Sequence, residues 1–267
     1  MIVVQSHAEH LPMLGEYTSP EWEKMRRRIV EKNGKVALIT GGVGGLGLAT
    51  AVRYTEQGFA VAICDRKDGT DRHMPRGSKF YHLDVTDEEE ATEVAAHVVE
   101  DFGGLDVVVD YAGITKDRSF EKMTCDDFTR VVAVSLTGSW IVAHTCLPFL
   151  KKRGGGNIIL VSSINGVAAV IGQTNYGPAK AGVAQLARDL GRELARFNIL
   201  VNAIAPGYCD TEMVAAVPKD VMDNVVLPQI WLRRLGKPSE IADAAYWLGV
   251  QTFMTGEVLH INGGMAH

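Results

Sequence analysis

The sequence has no excess of basic charge, no closely spaced cysteines, no long uncharged apolar run and no low-complexity tract or internal repeat. Its 27 lysines and arginines are outnumbered by 32 acidic residues and spread along the chain, for a net charge of -5. That balance provides no basic footprint for nucleic acid. The four cysteines, Cys64, Cys125, Cys146 and Cys209, lie far apart and lack the spacing of zinc or redox motifs. They argue against a metal site or a disulfide framework, and for reduced thiols inside a cell. Nowhere do about eighteen apolar residues follow one another without charge, and the first residues lack a basic start before an apolar core. The expectation is a cytoplasmic protein with no membrane partner.

What is present is enough apolar residue, 46% of 267, to bury one substantial core. Residues 1–33 carry no glycine-rich motif and read as an N-terminal extension, with a short helix over 21–32 capped by Thr18 and Glu21. From residue 34 to 267 short β-rich runs alternate with helix-length segments: VALIT (36–40), AVAIC (60–64), DVVVD (106–110), NIILVS (157–162), ILVNAIA (199–205) and EVLHI (257–261). Near-continuous apolar strands separated in this way indicate a parallel sheet covered on both faces. Thr86, with Glu89 three residues on, reads as a helix cap, and Gly103-Gly104 ends that helix. The expected fold is a single-domain α/β, Rossmann-type, doubly wound parallel sheet.

The segment TGGVGGLG, spanning Thr40, Gly41, Gly42, Val43, Gly44, Gly45, Leu46 and Gly47, directly follows the first strand. It opens a helix whose apolar face includes Leu46, Leu48, Ala49 and Val52. A diphosphate must approach the backbone closely and lie against a helix N-terminus, where free N–H groups and the helix dipole favour negative charge. Gly41, Gly45 and Gly47 follow the wide spacing T-G-x-x-x-G-x-G. Asp65, at the end of the second strand, stands where a carboxylate binds both hydroxyls of an adenosine ribose and repels a 2′-phosphate. That favours NAD(H). Arg66 and Lys67 follow at once, and an arginine there pairs with such a phosphate, so NADP(H) stays open. The plainer alternative makes Asp65 a turn residue and Arg66 a solvated charge.

Ser163 ends the NIILVSS run, and Tyr176 and Lys180 sit four apart in YGPAK, on one face of a helix. A phenol of pKa about 10 is a poor base near neutrality and needs a neighbouring cation to stabilise its anion. Bringing it to about 7 requires about 4 kcal/mol, which Lys180 and an oxidised nicotinamide together supply. Ser163 would hold the substrate oxygen beside the phenol.

With these residues in place, the chain resembles the short-chain dehydrogenase/reductase family over residues 35–266. Matching segments are TGGVGGLG, Asp84-Val85, Ala112-Gly113, Ser163, YGPAK, Pro206-Gly207 with Thr211, and Asn262-Gly263-Gly264. The resemblance implies a proton relay through Ser163, Tyr176 and Lys180, with Lys180 also on the nicotinamide ribose, Asp84 and Val85 at the adenine, and Thr211 near the carboxamide. It also implies homotetramers built on helix pairs and the C-terminal strand. Two departures stand out. Where the family has N-N-A-G, this chain has Asp110, Tyr111, Ala112 and Gly113, altering the floor of the cofactor cleft. Where the family has a relay asparagine, VSLTG places Ser135, whose backbone carbonyl would have to preserve the water connection under the lysine.

Within the family, residues 112–124, 172–183 and 234–244 are most similar to 3-oxoacyl thioester reductases, implying an acyl-CoA or acyl-carrier-protein substrate. Lys151, Lys152 and Arg153 would dock a phosphopantetheine or an acidic carrier, or form a charged helix end. Residues 212–235, rich in apolar side chains, read as a lid over the substrate or as packing at a subunit interface. Two further possibilities are an NAD-dependent dehydrogenase of a small secondary alcohol, sugar or steroid, and an inactive dinucleotide-binding regulator.

Overall fold

The computed structural model describes residues 34–69 and 73–265. The helix expected over 21–32, and the extension as a whole, lie outside the described residues. Seven parallel strands form one sheet in the order β3-β2-β1-β4-β5-β6-β7. They are β1 (Val36–Thr40), β2 (Ala60–Asp65), β3 (Ser78–His82), β4 (Val107–Asp110), β5 (Gly156–Val161), β6 (Ile199–Pro206) and β7 (Val258–Ile261). The chain is the expected doubly wound Rossmann-type α/β fold. Six of the strands were visible as apolar runs. The sequence reading missed β3, whose SKFYH alternates between buried and half-exposed positions at the sheet edge.

The strands alternate their side chains between two covered faces. Val36 and Leu38 pack with Val94 and Val98 of α2 (Glu88–Phe102), Ile141 and Leu150 of α4 (Gly138–Arg153), and Val183 and Ala187 of α5 (Tyr176–Leu194). Ala37 and Ile39 face the other way, onto Tyr54 of α1 (Gly45–Glu56) and onto Ile241, Ala245 and Leu248 of α9 (Pro238–Gly249). The buried side of α1 is Gly47, Thr50, Ala51 and Tyr54, while Val52 is exposed. Of the expected face, Leu46 packs against the core and Val52 is exposed, and the small residues Gly47, Thr50 and Ala51 let the helix lie close to the sheet.

Asp87, not Thr86, caps α2, its carboxylate accepting from the Glu90 N–H at 3.0 Å. Thr86 bonds Asp84 instead, and Gly103 ends the helix in the left-handed conformation as expected. Between β4 and β5 run α3 (Cys125–Val132), a five-residue π-type turn (Ala133–Thr137) and α4. Together, Cys125–Arg153 form a helical stretch long and apolar enough to cross a membrane by length and composition, contrary to the sequence expectation. Half of its most apolar window is packed inside the protein, where Val142, Ala143, Cys146 and Leu150 cover the sheet.

The contact between α1 and α9 is closed by Tyr54, whose hydroxyl donates to the Ala245 carbonyl at 3.0 Å. A methyl group on Gly249 would stand 1.9 Å from that oxygen. Gly249→Ala should therefore lower stability by about 1–3 kcal/mol through overpacking, read as a fall in the thermal unfolding midpoint.

Candidate active site

The parallel register places Thr40 beside Cys64 and Asp110, and Asp110 beside Leu160, so the carboxyl ends of β2, β1, β4 and β5 form one rim. Connections leave in opposite directions on either side of β1 and β4, which is where open α/β sheets bind ligands. At that rim the chain turns through Gly41, with φ of 59°, and enters α1 behind an extended Gly44 that provides no side-chain cap. A Cβ at Gly47 would stand 2.3 Å from the Gly41 carbonyl oxygen, and one at Gly41 would stand 2.9 Å from the Tyr111 carbonyl carbon. These contacts leave room only for glycine.

The Val43 N–H donates to one Asp65 oxygen at 3.1 Å and the Lys67 N–H to the other at 2.9 Å, so Asp65 ties the glycine loop to the end of β2. Arg66 is exposed, and its guanidinium lies 3.8 Å from Asp84. Val85 is buried against Gly138, where a Cβ would meet its methyl at 2.7 Å. Thr211, beyond β6, crosses back to the loop: a Cβ at Gly45 would stand 3.1 Å from its methyl. Pro206 ends β6, and Gly207 packs so closely on Asn262 that a Cβ would lie 2.8 Å from its Cα. An uncapped helix start, a glycine cradle and a carboxylate at the second strand fit a dinucleotide diphosphate and ribose.

The departing pair Asp110-Tyr111 lies at the switch between β1 and β4. Asp110 is fully buried and accepts from the Thr40 hydroxyl on one oxygen and the Ser139 hydroxyl on the other. Burial pushes its carboxyl up, against the pull of the two hydroxyls, the Lys180 charge and the Ala112 N–H. The Tyr111 hydroxyl meets Thr50 of α1 at 2.8 Å, and burial raises that phenol too. Tyr111 thus braces the underside of the first helix.

Ser163, Tyr176, Lys180 and Gly113 converge beside this floor. The Ser163 hydroxyl pulls the Tyr176 phenol down against burial, and its oxygen accepts from the Asn165 N–H at 3.1 Å. The Lys180 amine lies 5.8 Å from the Tyr176 ring centre and donates to the Val161 carbonyl at 2.7 Å. A Cβ at Gly113 would stand 3.2 Å from Lys180 Nζ and 3.5 Å from Ser135 Oγ. Ser135 is buried within the π-type turn; its carbonyl accepts from Ser139 at 3.1 Å and its hydroxyl from the Ile114 N–H at 3.4 Å.

The electrostatics differ from the sequence expectation of an acidified phenol. Burial pushes Tyr176 up to about 12, despite the Ser163 hydrogen bond, with Asp117 and Tyr208 adding to the rise. Burial also lowers Lys180 to about 8, partly offset by Asp110. The lysine spends its hydrogen bond on a backbone carbonyl, and within the protein alone desolvation outweighs its influence on the phenol.

Residues that the sequence reading missed hold this cluster in place. Asn175, fully buried, accepts from the Tyr176 N–H at 2.7 Å and donates to the Lys116 carbonyl at 2.9 Å. An asparagine directly before a helical run was a readable cap signal. Asp127 pairs with Lys116 and Arg118, and hydrogen bonds from Lys116 and from the Thr124 backbone and hydroxyl bring its carboxyl down to about 2. Its signal was weaker, because the partners are distant in the fold's loops rather than on its own helix. Asn165 donates to Gln173 at 2.8 Å and Gln173 to Asp117 at 2.9 Å, linking the loop after β5 to that after β4.

Two outlying features are also placed. Arg153 is bound to Asp106 and to the Gly34 carbonyl, and the Lys151 ammonium lies 4.1 Å from the Phe197 ring centre. Residues 212–235 form three short helices, α6 (Glu212–Ala215), α7 (Lys219–Val221) and α8 (Leu227–Gln229), over Ile164, against which Val226, Ile230 and Met265 pack.

A family model described as enoyl-(acyl carrier protein) reductase matches residues 42–266. The chain belongs to the short-chain dehydrogenase/reductase family. It is 40% identical over 236 residues to an acetoacetyl-CoA reductase of Shinella zoogloeoides, covering 86% of this chain and 98% of that protein. It is 37% identical over 241 residues to the 3-oxoacyl-(acyl-carrier-protein) reductase FabG of Thermotoga maritima, covering 87% and 98%. A nodulation protein G of Azospirillum brasilense is 38% identical over 241 residues, covering 86% and 98%. The chain is an NAD(P)-dependent oxidoreductase.

Proposed function

We propose that this chain reduces the ketone of a 3-oxoacyl thioester, carried on coenzyme A or on an acyl carrier protein, with Tyr176 as proton donor. The observation that carries the reading is that Tyr176 and Lys180 project from one turn of α5, the amine 5.8 Å from the phenol ring centre, with Ser163 close enough to pull that phenol down, at the same rim as the glycine loop. Relatives of near-equal length bearing the names acetoacetyl-CoA reductase and 3-oxoacyl-(acyl-carrier-protein) reductase support the substrate class. A nicotinamide held at this rim would supply the hydride for the carbonyl carbon. Ser163 orients the carbonyl oxygen and stabilises its developing charge, and Tyr176 gives that oxygen its proton. A phenol held at about 12 keeps its proton at neutral pH, the state that a reductase needs before each turnover. Lys180 then returns a proton to the phenolate, and the Ser135 carbonyl lies within the same buried cluster.

Gly41, Val43, Gly44, Gly45, Leu46 and Gly47 would hold the diphosphate, Asp84 and Val85 the adenine, and Tyr111, Ala112, Gly113, Pro206, Gly207 and Thr211 the remaining walls. NAD(H) is favoured over NADP(H): the Asp65 carboxylate, held by the Val43 and Lys67 N–H groups at the end of β2, would meet the adenosine ribose, and Arg66 lies 3.8 Å from Asp84. Residues 34–267 would form one catalytic domain behind the extension 1–33. The exposed Trp140 and Phe128 on one side, and Phe253 beside the free edge of β7 on another, suit the two contacts of a homotetramer. With its four thiols free, the protein suits the cytoplasm.

Acetoacetyl-CoA should be reduced faster than a panel of simple ketones, and simple secondary alcohols should be oxidised slowly, as followed by nicotinamide absorbance. Tyr176→Phe should lower kcat about a hundredfold or more while calorimetry shows dinucleotide binding retained; undiminished turnover removes the mechanism. Asp65→Ala should raise kcat/KM for NADPH relative to NADH, and an unchanged ratio overturns the ribose assignment.

A further inference from the structure

Asp110 is a carboxylate in a place where the sheet core has no need of one. It is 1% exposed at the end of β4; one oxygen receives the Thr40 hydroxyl proton, and the other lies 2.5 Å from the Ser139 hydroxyl, whose one proton has the more distant Ser135 carbonyl, at 3.1 Å, as its second acceptor. Thr40 Oγ1 also lies 3.3 Å from the Ala112 N–H, which it accepts, so its own proton is free to point at Asp110. An asparagine at this position would turn an N–H toward one of the two hydroxyls. Two converging hydroxyl donors therefore select two acceptor oxygens, the arrangement of an ionised carboxylate.

The groups facing Asp110 come from three elements. Thr40 on β1 and Ser139 on α4 are neutral hydroxyls. Cys146 on α4 is a buried thiol pushed up to about 12 and stays uncharged. The cation that Asp110 faces is Lys180 on α5: its amine donates to the Val161 carbonyl at 2.7 Å, one residue past Leu160, the register partner of Asp110, and each charge favours the other. Lys180 is faced in turn by the Tyr176 phenol on its own helix and by the Val161 carbonyl of β5, and neither offsets its charge with an opposite one.

We propose that Asp110 is a positioning residue of this enzyme: a buried carboxylate, fixed by Thr40 and Ser139, that holds the Lys180 ammonium in its charged form beneath the Tyr176 phenol. Its use in turnover rests on the relay proposed above. The coupling itself does not. The departure from a neutral residue at this position gives the relay lysine a counter-ion, so that Lys180 can remain buried and still carry a proton at neutral pH.

The test is Asp110→Asn, read first without turnover. In dinucleotide-free protein containing carbon-labelled lysine, the Lys180 side-chain resonance is assigned by its loss in Lys180→Met and titrated by NMR. Removing the counter-ion should lower its midpoint by about one pH unit; an unmoved midpoint overturns the proposal. The alkaline limb of kcat for acetoacetyl-CoA reduction should move down with it, about a tenfold loss in rate at the alkaline end with little change below the limb. A moved midpoint with an unmoved limb overturns the role in the relay. Tyr176→Phe separates the two readings: full turnover there removes the relay, whereas lost turnover beside an unmoved Lys180 midpoint removes only the Asp110 proposal. If Asp110→Asn does not fold, Ser139→Ala decides. It keeps the carboxylate but removes a donor, and it should shift the Lys180 midpoint in the same direction by a smaller amount; no shift overturns the proposal.

Discussion

Lys180 carries an amine into the protein interior one turn into α5, and the cost of desolvating that charge shapes what surrounds it. Its fall from 10.5 to about 8 corresponds to about 3 kcal/mol against the charged form. The unfolded chain holds this proton more tightly than the folded one does. The penalty is therefore absent at high pH, grows as pH falls from 10.5 toward 8, and is constant below. Offsetting it requires close, fixed partners. The Ser162 hydroxyl donates to the Lys180 carbonyl at 2.7 Å, tying the helix backbone to the end of β5. A Cβ at Gly166 would come within 3.0 Å of the Ala181 nitrogen, so only glycine lets the loop after β5 approach α5 this closely. Asn175 fixes where the helix begins, and with it the turn from which both Tyr176 and Lys180 project.

The same rim transmits this constraint to the dinucleotide side. Thr40 bonds Asp110, Tyr111 bonds Thr50, and the backbone of Tyr111 presses on Gly41. The residues under the relay and those under the glycine loop are thus neighbours on adjacent parallel strands, held by one register. A shift of that register by one residue would exchange Asp110 with an apolar neighbour and turn its carboxylate to the opposite face. The two departures at Asp110 and Tyr111 are consequently coupled changes: one places a charge under Lys180, and the other fills the space beneath α1.

Much of the fold was legible because a covered parallel strand leaves an uninterrupted apolar run, as in VALIT and DVVVD. β3 escaped because an edge strand is buried only in part: Ser78 and Tyr81 are buried, while Lys79, Phe80 and His82 keep some exposure, so no continuous apolar run marks it. The apolar face of α1 was misplaced in part for a different reason: helix against sheet selects small residues for close approach, whereas periodic reading seeks large ones. The grouping of Ser163, Tyr176 and Lys180 was readable because helical spacing and a strand end are local features. Their electrostatics were not readable. The Val161 carbonyl that takes the Lys180 bond, and the depth that raises the phenol, depend on packing between elements distant in sequence.

The order in which the two groups lose protons bears on the direction of the reaction. With burial raising Tyr176 to about 12 and lowering Lys180 to about 8, a proton passes more readily from the ammonium to the phenolate than back. In the reduction proposed above, the phenol would be left without its proton, and its reloading would run down this gradient. Oxidation of an alcohol requires the phenol to be stripped first, against the same gradient. Burial thus biases the site toward proton donation, and the Asp110 carboxylate extends that bias by keeping the reloading group charged at higher pH than burial alone would allow. The interior that makes Lys180 costly to hold is what makes its proton available to Tyr176.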